Sequence, residues 1–166
     1  MLVEIAKVVG GGARQSKTGK EMIWAVNDRN EVAKVIKIFE VYPLLTTKKH
    51  YQLLFLKDCL KNGRTMEWYL ENRGKKYEGQ LGLIKARNEK YEVPAYFDKW
   101  LAGFTEAEGC FVLRTNENHG YLIGQTDDKY LIEAIKTRLG IMSKVRSQEL
   151  SSASETSLKE KRRPDF

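Results

Sequence analysis

Cysteine and histidine are scarce in this chain of 166 residues: there are two of each, Cys59, Cys110, His50 and His119. The cysteines form no CxxC pair, and two histidines at this spacing complete no Cys/His zinc site. Two isolated thiols fit reduced side chains of an intracellular protein better than a disulfide framework. No apolar run approaches the roughly 20 residues that cross a bilayer, so no membrane partner is expected. The opening Met-Leu-Val-Glu-Ile-Ala-Lys is too short and too acidic for a signal peptide. It reads as the end of an amphipathic helix that has lost its beginning. Low-complexity sequence is absent.

Positive charge is abundant. The formal net charge is +7 and the pI about 9.3, which suits a partner rich in phosphate without requiring one. Hydrophobic residues make up 42% of the chain, enough for a core, and the length suits one ordinary domain.

Periodicity orders the first third. Met1 to about Val9 is helical, and Gly10-Gly11-Gly12 stops it. Ala13 to Ser16 and Glu21 to Val26 read as strands around the turn Lys17-Thr18-Gly19-Lys20. Arg14 and Ser16 share one strand face, Met22 and Trp24 share a face of the return strand, and Lys17 and Lys20 sit at the turn. Asn27-Asp28 is an N-cap signal for a helix carrying Val32, Val35, Ile36 and Phe39, which Pro43 ends. Tyr42-Pro43-Leu44-Leu45-Thr46-Thr47-Lys48-Lys49 then leads into a helix through Leu53, Leu54, Leu56 and Leu60. Residues 61–94 are charged and mixed, with Met66 to Asn72 helical, and read as a connector between two halves.

The most informative stretch is Leu101-Ala102-Gly103-Phe104-Thr105-Glu106-Ala107-Glu108-Gly109. It is a short helix with Gly103 and Ala107 one turn apart, so a second helix could approach almost to backbone contact. Glu108 faces the negative end of the helix dipole, an unfavourable place for an acid that a bound divalent cation would offset. Glu106, two residues earlier, points well away from it and suits a structural role. Cys110 to Asn116 follows as a strand, with Phe111, Leu113 and Thr115 on one face and Val112, Arg114 and Asn116 on the other. Arginine matches guanine and asparagine matches adenine in the major groove, so Arg114 and Asn116 are candidates for base edges. A turn over Glu117 to Gly120, a strand over Tyr121 to Gln125 and a helix capped by Asp127-Asp128 complete the pattern. Ile135 to Gln148 faintly echoes Leu2 to Gln15, as if the chain began and ended near one point of a repeating unit.

The nonapeptide resembles the signature of the LAGLIDADG homing endonucleases, with Phe at 104, Thr at 105 and Glu at 106 and 108 as conservative departures. The segment around Pro43 to Lys48 is similar to one that recurs late in each repeat of that family. The resemblance implies an α+β fold of αββαββα elements, here in permuted order, with helices packed on an antiparallel saddle sheet. Residues 1–60 would be the C-terminal half of one repeat, 61–94 a connector, 95–150 the N-terminal half of the next, and 151–166 a disordered tail. It implies a site-specific double-stranded DNA endonuclease in which Glu108 binds Mg²⁺. Lys48 would stabilise the reacting phosphate, and Gln125 would orient solvent unless it is an ordinary strand-end residue. Arg14, Ser16, Lys17, Lys20, Arg114 and Asn116 would meet DNA. Trp24 joins them weakly, since core placement suits it better. One signature helix supplies one acid, so a homodimer or a missing partner half is implied. An intron RNA maturase and an inactive nucleic-acid-binding fragment remain open. Intron-encoded relatives suggest a mitochondrial or chloroplast setting.

Overall fold

In a computed structural model, residues 1–115 and 117–146 are described. The expected disordered tail and Asn116 lie outside them. The order is α1 (Leu2–Val9), β1 (Gly12–Gln15), β2 (Met22–Ala25), α2 (Arg29–Val41), α3 (Thr47–Lys61), α4 (Met66–Asn72), a 3-10 turn (Arg73–Lys75), α5 (Gln80–Glu89), α6 (Phe97–Glu108), β3 (Gly109–Val112), β4 (Gly120–Ile123) and α7 (Lys129–Arg138). Both strand pairs are antiparallel. The α+β architecture is the one the sequence predicts, and the strands form two separate hairpins rather than one continuous saddle.

Local chemistry explains most boundaries. The Asp28 carboxylate caps α2 by accepting from the backbone N–H of Asn30 and Glu31 at 2.9 and 3.1 Å. Gly10 and Gly11 end α1 with φ of +104° and +81°. A Cβ at Gly10 would fall 2.5 Å from Glu31 Oε1, and one at Gly11 would fall 2.5 Å from the Ala25 carbonyl. The Ala25 backbone excludes a side chain at Gly11, and the positive φ favours glycine at both positions.

The core is small. Leu45, Phe97, Leu101, Tyr130, Leu131 and Ile135 are buried together, with Tyr91, Trp100, Phe104 and Ile123 packed against them. The six buried residues come from the α2–α3 loop, α6 and α7. In α6, positions 97, 100, 101 and 104 form one stripe at helical spacing. Arg138 of α7 forks onto the Asp98 carboxylate of α6, with Nε donating at 2.6 Å.

A buried polar cluster stands beside this core. Asp128 and Thr47 are both fully buried. Asp128 Oδ2 accepts from the Thr47 backbone N–H at 3.0 Å, and Oδ1 accepts from the Thr47 hydroxyl at 2.6 Å. Gln80 Nε2 donates to the same hydroxyl at 3.0 Å. Arg87 Nη1 donates to the Leu45 carbonyl and the Tyr130 hydroxyl, both at 2.7 Å. Asp128 is the N-cap residue of α7, as its sequence position predicts, but its side chain makes no bond to that helix. It caps α3 instead. The backbone explains the change: Asp127 turns at φ +70° and Asp128 sits at φ −92°, ψ 58°, outside the extended conformation of an ordinary N-cap. Gln80 and Arg87 belong to α5, so the 61–94 segment packs into the centre of the chain.

Two stability outcomes follow from this cluster. Asp128→Ala leaves two buried donors of Thr47 unpaired, at a cost of about 3 kcal/mol. In thermal denaturation this lowers Tm by roughly 10 °C for a chain of this size, and Asp128→Asn, which keeps one acceptor, loses clearly less. A Tm unchanged by Asp128→Ala would show that the cap contributes nothing. Secondly, burial and then the Arg87 charge hold His50 below its ordinary pKa. The unfolded chain therefore binds a proton at His50 more readily than the folded one. That contribution is fully present above about pH 6.5 and is lost as pH falls through the folded value. Midpoints of urea unfolding between pH 7 and pH 5 will decline, and His50→Gln will flatten that decline.

Candidate nucleic-acid interface and catalytic carboxylate

Helix α6 carries its candidate carboxylate where its buried stripe runs out. Phe97, Leu101, Phe104 and Glu108 lie on one side of the helix by spacing. Phe97 is 2% exposed, Phe104 is half-buried and Glu108 is exposed. Eleven residues of helix separate Phe97 from Glu108, about 16 Å. The carboxylate thus emerges at the far end of α6 from the core, just before β3 begins at Gly109.

The small-residue face of α6 is uncovered. Ala102, Gly103, Glu106 and Ala107 are exposed, and a Cβ built on Gly103 meets nothing within 4 Å. Within one chain, therefore, nothing requires glycine at 103. Gly103→Ala adds helix propensity worth up to about 1 kcal/mol, so Tm of the isolated chain will rise. If this face pairs with a second helix, the added methyl will also weaken self-association by sedimentation equilibrium; unchanged association would place the pairing elsewhere.

The other two catalytic candidates lie on α3 and after β4. Lys48 is exposed in the first turn of α3, next to buried Thr47. Its Nζ lies 5.9 Å from the centre of the Tyr77 ring. Gln125 is half-buried two residues beyond β4. Among the described residues no ion pair or hydrogen bond joins Lys48, Gln125 and Glu108.

The first hairpin separates its candidates. Its register sets Arg14 opposite Ile23 and Ala13 opposite Trp24, so Arg14 and Trp24 lie on opposite faces. Trp24 is half-buried, and its indole N–H donates to the Gly10 carbonyl at 2.9 Å, closing the end of α1. This bond gives Trp24 a structural role. The Ser16 hydroxyl accepts from Glu21 N at 3.2 Å and bonds Thr18 Oγ1 at 3.1 Å, inside the turn. Arg14, Lys17 and Lys20 are exposed, without an ion pair among the described residues.

The second hairpin is shorter than the sequence predicts. Strand β3 stops at Val112, and β4 covers Gly120–Ile123 rather than Tyr121 to Gln125. Arg114 consequently lies past the strand end, exposed, where its backbone N–H donates to His119 Nδ1 at 3.4 Å and its carbonyl accepts from Glu117 N. Glu117 sits at φ +60°, a left-handed turn that takes the chain out of the ladder early. The alternation expected for Cys110 to Asn116 therefore does not extend to Arg114 or Thr115. Phe111 does face the same way as Tyr121, whose hydroxyl bonds Thr105 Oγ1 of α6 at 3.0 Å.

Among the described residues no group of three or more His, Cys, Asp or Glu side chains is placed to hold a metal. Glu108 alone offers one carboxylate, fewer oxygens than a divalent ion binds. The donor set fits such an ion only as half of a pair.

The sequence reading overlooked Lys76 and Tyr77. They end the run Arg73-Gly74-Lys75-Lys76-Tyr77, where basic residues lead into an aromatic one, a pattern that is itself a nucleic-acid signal. It also overlooked Gln80 and Arg87, whose partners lie 33 and 42 residues away.

Comparison with known proteins bears on the family. The family model described as LAGLIDADG endonuclease matches residues 1–59. A protein of Debaryomyces hansenii named "Probable intron-encoded endonuclease aI3" is 36% identical over 89% of this chain and 26% of its own length. Proteins of the same name from Dictyostelium citrinum and Dictyostelium discoideum are 35% and 34% identical, over 90% of this chain and 61% and 62% of theirs. Residues 1–59 match the LAGLIDADG endonuclease family, and the chain as a whole is similar to proteins named intron-encoded endonucleases. It spans less than two thirds of the length of these relatives.

Proposed function

We propose that this chain is half of a site-specific double-stranded DNA endonuclease, completed by a second copy or by a partner half. The observation that carries the reading is the position of Glu108. It stands exposed at the end of a helix whose small-residue face is uncovered, within a chain whose relatives are named endonucleases. Pairing two such helices would bring two carboxylates to one seam. Many exposed apolar side chains support a missing partner, among them Phe111 at 76% and Leu113 at 83%.

Glu108 and its counterpart would hold Mg²⁺, which supplies Lewis acidity and an activated water when bound. Lys48 would offer its ammonium to the phosphate oxygens as charge develops. Gln125, which makes no side-chain hydrogen bond among the described residues, would orient solvent. Arg14, Lys17, Lys20 and Arg114 would grip the backbone or base edges of the duplex, with Ser16 and Trp24 supporting the first hairpin and Asn116 a further candidate for a base edge. A two-fold pair would prefer a near-palindromic target. An organelle intron, mitochondrial or chloroplast, is the proposed genetic setting.

The test is cleavage of a target-bearing plasmid in Mg²⁺. Glu108→Gln will lower the cutting rate at least about 100-fold, the scale of losses when a metal site is impaired, while leaving the thermal transition in place. Cutting that survives the substitution removes Glu108 from the mechanism. Loss of cutting with intron splicing support preserved would instead assign the chain RNA work.

A further inference from the structure

Most lysines that find a partner in this structure find a carboxylate. Lys7 pairs with Glu4, Lys57 with Glu40, Lys90 with Glu92 and Lys136 with Glu133. Lys48 and Lys76 do not. Their ammonium groups lie 5.9 and 5.1 Å from the centre of one ring, that of Tyr77. The ring is fixed from a third side: Gln52 Nε2 of α3 donates to the Tyr77 hydroxyl at 2.8 Å. Lys49 follows Lys48, and Arg73 and Lys75 precede Lys76. Glu71 and Glu78 flank the run, yet neither forms an ion pair with it among the described residues.

Two cations held near one aromatic ring repel each other. The π face offsets part of that cost. A ligand with several anionic oxygens would offset the rest. The electrostatics register the concentration of charge. Burial alone would raise the Tyr77 pKa, but the Gln52 bond and the nearby Lys76 and Lys48 charges outweigh it and lower the value.

We infer that Lys48, Lys76 and Tyr77, with Lys49, Arg73 and Lys75 around them, form a phosphate-binding patch through which the 61–94 segment grips the backbone of duplex DNA. The inference rests on the endonuclease reading for its choice of duplex DNA, since Lys48 is there the lysine nearest the reacting phosphate. It adds a contact surface outside both hairpins. It also gives Tyr77 a role as a positioning residue, holding two ammonium groups at one place rather than touching the substrate itself.

The experiment is fluorescence anisotropy of the full chain with a mixed-sequence DNA duplex across a range of KCl, without divalent metal. Lys76→Met will weaken binding and reduce the slope of log K against log salt by about 0.9, one phosphate contact. Lys90→Met removes a charge already paired with Glu92 and will leave the slope as it was. An unchanged slope for Lys76→Met, an equal change in both variants, or a change seen with RNA of the same length but not with duplex DNA would overturn the patch. The ring contact has its own readout: Lys76→Met and Lys48→Met will each raise the titration midpoint of Tyr77, taken as the phenolate absorbance missing from Tyr77→Phe. Midpoints that do not move would overturn the contact. Because binding is measured without metal or cutting, failure of the Glu108 reading leaves these outcomes distinct.

Discussion

The structure depends on a carboxylate that caps a helix from 81 residues away. Without Asp128, the first N–H of α3 and the hydroxyl of Thr47 would be buried without an acceptor. Because both groups are fully buried, the bond excludes water and gains strength from its low-dielectric surroundings. The same few residues also fix two other elements. Gln80 begins α5 and bonds Thr47, and Arg87, on α5, bonds the loop before α3 and the first turn of α7. Three helices far apart in sequence are therefore positioned by one cluster. The apolar core alone, six buried side chains among the described residues, would specify their angles poorly.

That arrangement concentrates order in the middle of the chain and leaves its edges open. No residue of α1 or α2 is buried. Both hairpins are two-stranded, the smallest and least self-sufficient form of sheet. A chain with so much uncovered apolar surface is stable at its centre and receptive at its rim. This suits the proposed pairing with a second copy or a partner half, in a chain that spans a fraction of its relatives' length.

Sequence reached whatever local chemistry decides. The Asp28 cap, the glycine stop after α1, the Lys17–Lys20 turn and the helix over Met66–Asn72 follow from neighbours within a few residues. Strand parity was also legible: Met22 and Trp24 share a face opposite Arg14. Distance in sequence hid the rest. Asp128 looks like a local cap, and only the fold shows that its oxygens point at Thr47. The early end of β3 depends on a left-handed Glu117, a conformation that glutamate does not advertise. In the candidate site, the nonapeptide and the Pro43 to Lys48 segment made Glu108 and Lys48 candidates by resemblance. The place of Tyr77 was not, because its partners Gln52 and Lys48 lie 25 and 29 residues upstream.

The buried cap and the proposed chemistry meet at adjacent residues. Thr47 is held inside by Asp128 and Gln80, so the next residue, Lys48, must emerge where the first turn of α3 leaves the core. Its ammonium then reaches the ring of Tyr77. A long lysine side chain is costly to immobilise, and an ion pair with a carboxylate would occupy the charge that phosphate needs. An aromatic face restrains the ammonium while leaving its N–H donors free for an incoming oxyanion. The 61–94 segment thus does more than connect its neighbours. It seals Thr47 through Gln80 and holds Lys48 near Tyr77, so the stability of the centre and the charge proposed to meet DNA are set by the same stretch of chain.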